Sequence, residues 1–499
     1  MSSSLVLVIL LAYFALLLYI SAVTSRKATN DSYFRAGRSA HWFLVAFGMV
    51  GTSLSGVTFI SVPGTVGTEH FYYFQVVMGY FIGYFVVAFV LLPLYYKLNL
   101  TSIYHYLQHR LGMFAYKTGA GLFIISRTLG ATLRLYLVIN VLQAFVLKPL
   151  GFSPHLFGFD ISFHVAAIII MLMILAYTYQ GGVKTIVWTD TLQTFFMLLA
   201  LLVCVVYIMS ELHLTPATAW TTMSDAGYTN IFNGHWQEKS FWIKHIIGGA
   251  FITITMTGMD QEMMQKNISV RSLKDSKKNM VTFSFILVAV NFIFLVLGGM
   301  LYLYAQSKGL DVVKDDLFPT VAMQYLPPVI GIIFIIGLIS ALFPSADGAI
   351  TALTASFCID LLGMQRNGAV DESQKMKTRK RVHLAFAIVF LVMVFLFKWM
   401  DNKQIIGILL TIAGYTYGPL LGLFAFGILT KRKLQDFAAP LICIYAPAIT
   451  WLLDYLAPTM LGGYKFGFEL LLLNGVITFG GLWLFSKQKT EMINSPNHE

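Results

Sequence analysis

Charge is scarce in this chain. Lys, Arg, Asp and Glu make up only 11% of its 499 residues, where a soluble domain carries about 25%. A water-soluble fold of this size would expose apolar surface it has no means to hide, so that class is excluded. Cysteine is nearly absent as well. Cys204, Cys358 and Cys443 lie in or at the ends of apolar stretches, with no metal-ligand spacing and no hint of a disulfide framework. A HExxH zinc motif, a GxSxG elbow and paired aspartates within one helix are all missing, which sets aside a membrane-embedded enzyme. No cleavable signal peptide is expected, because the run from Leu5 to Ile20 has neither a basic lead nor a small-residue cleavage site.

What is present is apolar. The chain is 57% hydrophobic with a net charge of +11 and a mean hydropathy of +0.73. In a soluble protein such a charge would suggest nucleic acid. Here the cations sit in short loops between apolar runs, so the expected partner is a lipid bilayer and nucleic acid is excluded. A membrane span needs roughly 20 apolar residues. That rule gives thirteen segments near 5–24, 43–68, 72–96, 118–146, 164–181, 188–209, 240–260, 281–305, 322–358, 381–397, 404–427, 436–453 and 466–486. With the loops assigned alternately to two sides, Lys and Arg outside the spans divide roughly three to one. The positive-inside rule then predicts the N-terminus outside and the C-terminus in the cytoplasm of a cell (plasma or inner) membrane. The predicted fold class is an all-α polytopic membrane protein.

Two spans are poor continuous helices. The second contains Gly48, Gly51, Gly56, Pro63 and Gly64 among Thr and Ser, and the seventh contains Gly248, Gly249 and Gly258 before Asp260-Gln261. Gly and Pro weaken a helix, and unpaired backbone at membrane depth is tolerated only beside a cavity. Close helix packing through small residues is the alternative reading of either span alone. Two such spans, five apart, point instead to an inverted repeat of five helices each. Paired interrupted segments in the two halves mark the substrate site of a secondary transporter. The expected organisation is a peripheral helix and cytoplasmic loop over 1–42, a first repeat over 43–209, a second over 240–427, and two peripheral helices with a short tail over 428–499.

Several motifs carry a family resemblance. They are Gly51-Thr52-Ser53-Leu54-Ser55-Gly56-Val57-Thr58-Phe59 in the second span, Leu92-Pro93-Leu94-Tyr95-Tyr96-Lys97 after the third, and Gln180-Gly181-Gly182 with Trp188-Thr189-Asp190 between the fifth and sixth. Asp260-Gln261, Gln265-Lys266 and Tyr417-Gly418-Pro419-Leu420-Leu421-Gly422 follow in register. Together they resemble the sodium:solute symporters, which include carriers of sugars, proline and sialic acid. The resemblance implies a five-plus-five inverted-repeat fold flanked by one helix before and two after.

The resemblance also implies a Na⁺ site, with Na⁺ as coupling ion and no organic cofactor. A hard cation wants several oxygen ligands. The carried-over ligands are the carbonyls of Gly56 and Phe59 on one wall, and the Ala341 carbonyl and Ser345 hydroxyl on the other. The family pattern has two adjacent hydroxyl residues, whereas this chain has Pro344 before Ser345. Proline removes a hydroxyl but frees a carbonyl one turn earlier. A second cation position in some relatives uses the aspartate that corresponds to Asp190, and Asp347 falls near the residues that complete it. The alternatives are that Asp190 caps the sixth span and that Asp347 pairs with an arginine. Two neighbouring carboxylates also favour holding a proton, so a proton-coupled symporter is the alternative driving mode.

Arg127 and Arg134 lie seven residues apart, near one face of the fourth span, about 14 and about 24 Å deep at ~1.5 Å per residue. Guanidinium forks match carboxylates, so one reading is binding of an anionic solute; the other is neutralisation of Asp347 or Asp260. Thr58, Thr257, Asp260 and Gln261 complete the candidate substrate-binding set. His41, His70, His245 and His383 sit at span ends and are expected at the interface. The predicted function is Na⁺-coupled symport of a small organic solute by alternating access. A transporter-like sensor is a further alternative, disfavoured because the chain ends at Glu499, shortly after the last span.

Overall fold

In a bilayer every backbone N–H and C=O has to be paired within the chain, so apolar runs of this length fold as helices. The computed structural model describes residues 3–24, 40–149, 151–312, 314–364, 371–400 and 405–488. Arg26, Lys27, Arg35, Arg38, Arg366, Lys403 and Lys489, which entered the loop-charge comparison, lie outside the described residues. The helices that build the bundle are, in chain order, α1 (Ser3–Thr24), α2 (Trp42–Ser53), α3 (Gly56–Glu69) and α4 (Tyr73–Lys97). Next come α5 (Met113–Leu147), α6 (Ser162–Tyr179), α7 (Thr185–Glu211), α8 (Trp242–Met256) and α9 (Gln261–Ile268). The remainder are α10 (Leu273–Ser307), α11 (Pro328–Leu361), α12 (Glu372–Met400), α13 (Ile405–Leu429), α14 (Ala438–Met460) and α15 (Leu470–Leu484).

Among the described residues nine helices are long and apolar enough to span, ten if the bent pair α2/α3 is one span. Three shorter apolar helices, Val8–Thr24, Trp242–Met256 and Leu470–Leu484, coincide with the remaining expected segments. Two expected loops differ from the sequence reading. The segment after α7 carries a helix, Pro216–Asp225, started by a Thr215 capping box. The segment before the tenth span is already helical from Glu372, because a charged run without Gly or Pro continues a helix into the interface.

The core packs α11 against α6 and α7, α4 against α8, α2 against α7 and α13 against α5 and α15. Glycines permit several of these approaches. A Cβ on Gly79 would lie 2.2 Å from the Ile246 carbonyl oxygen on α8. Between α6 and α7 the chain turns at Gly182, whose φ of 56° and ψ of −154° are open essentially to glycine alone. Large apolar side chains such as Leu172, Val206, Phe285 and Trp451 face outward, which lipid tolerates and water does not.

Candidate functional site

The first break falls between α2 and α3, two residues apart and bent by 57°. The small residues there serve both of the purposes weighed from sequence. They interrupt the helix, and they let it pack closely. A Cβ on Gly51 would meet Thr194 Oγ1 at 2.3 Å, and one on Gly56 would meet Val138 Cγ2 at 2.2 Å.

The second break falls between α8 and α9, and its freed backbone is capped by side chains. Tyr95 donates to the Gly258 carbonyl at 2.7 Å and Tyr104 to the Met259 carbonyl at 3.0 Å. Asp260 caps α9 by accepting from the backbone N–H groups of Glu262 (2.9 Å) and Met263 (3.2 Å), and its other oxygen accepts from Tyr417 at 2.9 Å. Gln261 accepts from the Ile103 N–H and donates to the Thr101 carbonyl. Asp260 and Gln261 thus hold the break in shape, and neither lines the cavity beside it.

That cavity, about 90 Å³, lies between the two breaks, with room for several waters. Thr58 and Thr257 line it from the broken helices, Tyr73, Tyr80 and Tyr84 from α4, Asn291 from α10, and Arg127 and Arg134 from α5. The two arginines are not equivalent. Arg127 forms an ion pair with Glu262 and lies 3.9 Å from Asp260. Arg134 is buried, its Nε has no hydrogen-bond partner, and among the described residues no carboxylate lies within ion-pairing distance. Internal neutralisation therefore accounts for Arg127, through Asp260 and Glu262. It leaves Arg134 facing the cavity.

Behind the cavity runs a buried charge network. Lys266 Nζ donates to Asp190 Oδ2 at 2.7 Å, to Thr52 Oγ1 at 2.7 Å and to Glu262 Oε1 at 3.3 Å. Glu262 in turn carries Arg127. Buried charges are tolerated only when paired and hydrogen-bonded, and here acids and bases alternate. Lys266, counted from sequence as a loop cation, is only 3% exposed. It was misplaced because α9 is a short polar helix that hydropathy cannot tell from a loop. Glu262 was missed altogether. An acid and a base four residues apart, directly after a glycine-broken apolar helix, were the available signal.

Asp190 lies within α7, not at its N-cap. Asp347, on α11, accepts from Tyr177 at 2.8 Å, and no arginine pairs with it among the described residues. The next residue, Gly348, makes room for the network, since a Cβ there would lie 2.2 Å from Glu262 Oε1. Two histidines expected at the interface are buried instead. His383 bridges Thr178 and Thr354, and His245 stacks on Phe468.

The expected Na⁺ ligands occupy neighbouring helices. Gly56 and Phe59 form the first turn of α3, and the Phe59 ring touches α11 at Gly337, one turn before Ala341. Ser345 donates its hydroxyl to the Leu342 carbonyl at 2.8 Å, which leaves its oxygen lone pairs as acceptors. α11 stays helical through Pro344, so the missing N–H frees the Ser340 carbonyl.

The model of the sodium:solute symporter family matches residues 33–438. The sodium/sialic acid symporter SiaT of Proteus mirabilis is 23% identical over 437 residues, covering 85% of this chain and 84% of its own. Sodium-coupled monocarboxylate transporter 1 of Mus musculus is 26% identical, covering 83% and 66%. The solved structure of a Na⁺-coupled sialic acid symporter in a substrate-bound outward-open state superposes with a TM-score of 0.81 at 21% identity, over 98% of this chain and 99% of that one. A nucleobase-cation-symport-1 family transporter in a closed conformation gives 0.58 at 12% identity, covering 91% and 93%. These likenesses establish an all-α fold shared with those solved transporters. By the family match, the chain belongs to the sodium:solute symporters and carries out Na⁺-coupled symport of a small organic solute across the membrane.

Proposed function

We propose that the solute is an organic anion, a sialic acid or a related carboxylate, taken into the cell together with Na⁺. The observation that carries this reading is Arg134. Its guanidinium lines the cavity between the broken helices, with no carboxylate of its own among the described residues. A bidentate carboxylate satisfies such a fork, and a sugar acid's hydroxyls find donors and acceptors in Thr58, Thr257, Asn291 and the α4 tyrosines. The names of the sialic acid and monocarboxylate relatives point the same way. Arg127 is already paired, and Asp260 and Gln261 act by positioning α9.

Na⁺ is held by the carbonyls of Gly56, Phe59 and Ala341 and by the Ser345 hydroxyl, with the Ser340 carbonyl freed by Pro344 replacing the missing hydroxyl. These groups lie on α3 and α11, one helix from each repeat, so a rocking motion that separates the helices weakens ion binding. An ion drives transport only through such differential affinity for the two states. The three short apolar helices count as spans in this reading, which gives thirteen with the N-terminus outside and the C-terminus in the cytoplasm.

Thermal unfolding of the purified protein in NaCl, with added sialic acid or with a neutral hexose, tests the anion reading. Stabilisation by the acid alone, lost in Arg134→Ala, is the expected result. An equal response of wild type and Arg134→Ala to the acid contradicts it.

A further inference from the structure

Asp190 and Asp347 were expected to help form a second cation position, and the structure places a cation there that belongs to the chain. The Lys266 ammonium has three N–H donors, and three oxygens converge on it: Asp190 Oδ2, Thr52 Oγ1 and Glu262 Oε1. Asp190 and Thr52 come from α7 and α2 of the first repeat, while Glu262 and Lys266 come from α9 of the second. The α11 helix passes directly alongside. Gly348 would bring a Cβ within 3.2 Å of Nζ, and Asp347 turns to Tyr177 on α6 instead of to the ammonium. A hard cation and an ammonium compete for the same oxygens, and like charges exclude each other at this range. The oxygens that face this position already hold a cation supplied by the chain.

We propose that Lys266 is a tethered cation that permanently fills the place of a second coupling ion, so that this carrier engages one Na⁺ per cycle. The proposal rests on the Na⁺-coupled reading above. A free ion at this position would enter and leave with the solute, adding its gradient to the driving force. A lysine ammonium cannot leave. It supplies the charge that keeps Asp190 and Glu262 buried and contributes nothing to accumulation. Removing the side chain would leave Asp190, whose Oδ1 has no partner among the described residues, as a bare carboxylate, and would free Glu262 Oε1 while Arg127 keeps the other oxygen. With the Thr52 hydroxyl these make an oxygen set that suits Na⁺.

The test is a Na⁺ titration of purified wild type, Lys266→Ala, Lys266→Arg and Asp190→Asn. Thermal stabilisation is read, with choline chloride holding ionic strength constant. Wild type and Lys266→Arg are expected to respond with a Hill coefficient near 1. Asp190→Asn should lower the unfolding temperature yet leave the Na⁺ midpoint within about twofold, since Asp190 serves the lysine and not the ion. Lys266→Ala should gain a second Na⁺ event, with the coefficient rising toward 2. A wild-type coefficient near 2 that falls to 1 in Asp190→Asn overturns the proposal while leaving Na⁺ coupling intact. So does a folded Lys266→Ala that titrates like wild type. If Lys266→Ala does not fold, wild type, Lys266→Arg and Asp190→Asn decide between the same two outcomes. A protein that ignores Na⁺ in every form contradicts the coupling reading itself, and the two failures are thereby told apart.

Discussion

Arg127 and Arg134 lie two turns apart on α5, and among the described residues only Arg127 has a carboxylate partner. The chain thus holds one guanidinium as structure and presents the other to the cavity. Replacing Arg134 by Ala should lower apparent affinity for an anionic solute by at least about 30-fold, the equivalent of about 2 kcal/mol for losing one member of a buried charge pair. Arg134→Lys keeps the charge without the fork and should recover part of it. Binding isotherms of the two variants check this, and the unfolding temperature without solute should stay close to wild type.

Arg127→Ala should behave in the opposite way. It takes the guanidinium from both carboxylates, leaving Glu262 with only the Lys266 ammonium and Asp260 with neutral donors, and breaking such a pair costs about 3–5 kcal/mol. The unfolding temperature should drop sharply. Adding Glu262→Gln should restore part of it, because the pair then disappears together. A double-mutant cycle on Arg127 and Glu262 measures the coupling directly.

Helix contacts make a separate prediction. Gly79→Ala forces a methyl toward the α8 backbone, where a Cβ would lie 2.2 Å from the Ile246 carbonyl oxygen and 2.8 Å from the Ala250 nitrogen. Backbone cannot step aside as a flexible side chain does, so this substitution should destabilise by about 1–3 kcal/mol. Gly121→Ala meets nothing within 4 Å and should be neutral or stabilising by up to about 1 kcal/mol, from helix propensity. Thermal unfolding of the two variants side by side is the check.

Tyr95→Phe and Tyr104→Phe each remove one cap from the break between α8 and α9. An unsatisfied buried carbonyl costs about 1–3 kcal/mol. Each variant should lose stability, and hydrogen exchange should rise locally across residues 257–263.

Much of this architecture was legible in the sequence because a bilayer simplifies the problem. Long apolar runs have one regular solution, and glycine clusters mark where that solution fails. The break at Leu54–Ser55, the break at Thr257–Asp260 and the kink at Gly182 all fell where small residues gathered. The charge network was not legible. Whether Arg127 or Arg134 carries the internal pair depends on how α5 is rotated against α9, which neither helix's own sequence encodes. Lys266 read as a loop residue because an eight-residue polar helix leaves no hydropathy signal. Its burial comes from Asp190, 76 positions earlier. His383 was misjudged for the same reason, since Thr178 and Thr354, which receive it, lie on other helices.

The most direct test is uptake of radiolabelled sialic acid into proteoliposomes of the purified protein, under an inward Na⁺ gradient or with choline in place of Na⁺. Accumulation above the equilibrium level that requires the Na⁺ gradient and is abolished in Arg134→Ala is the expected result. Accumulation that is equal in choline, or that follows an imposed pH gradient and ignores Na⁺, would contradict it.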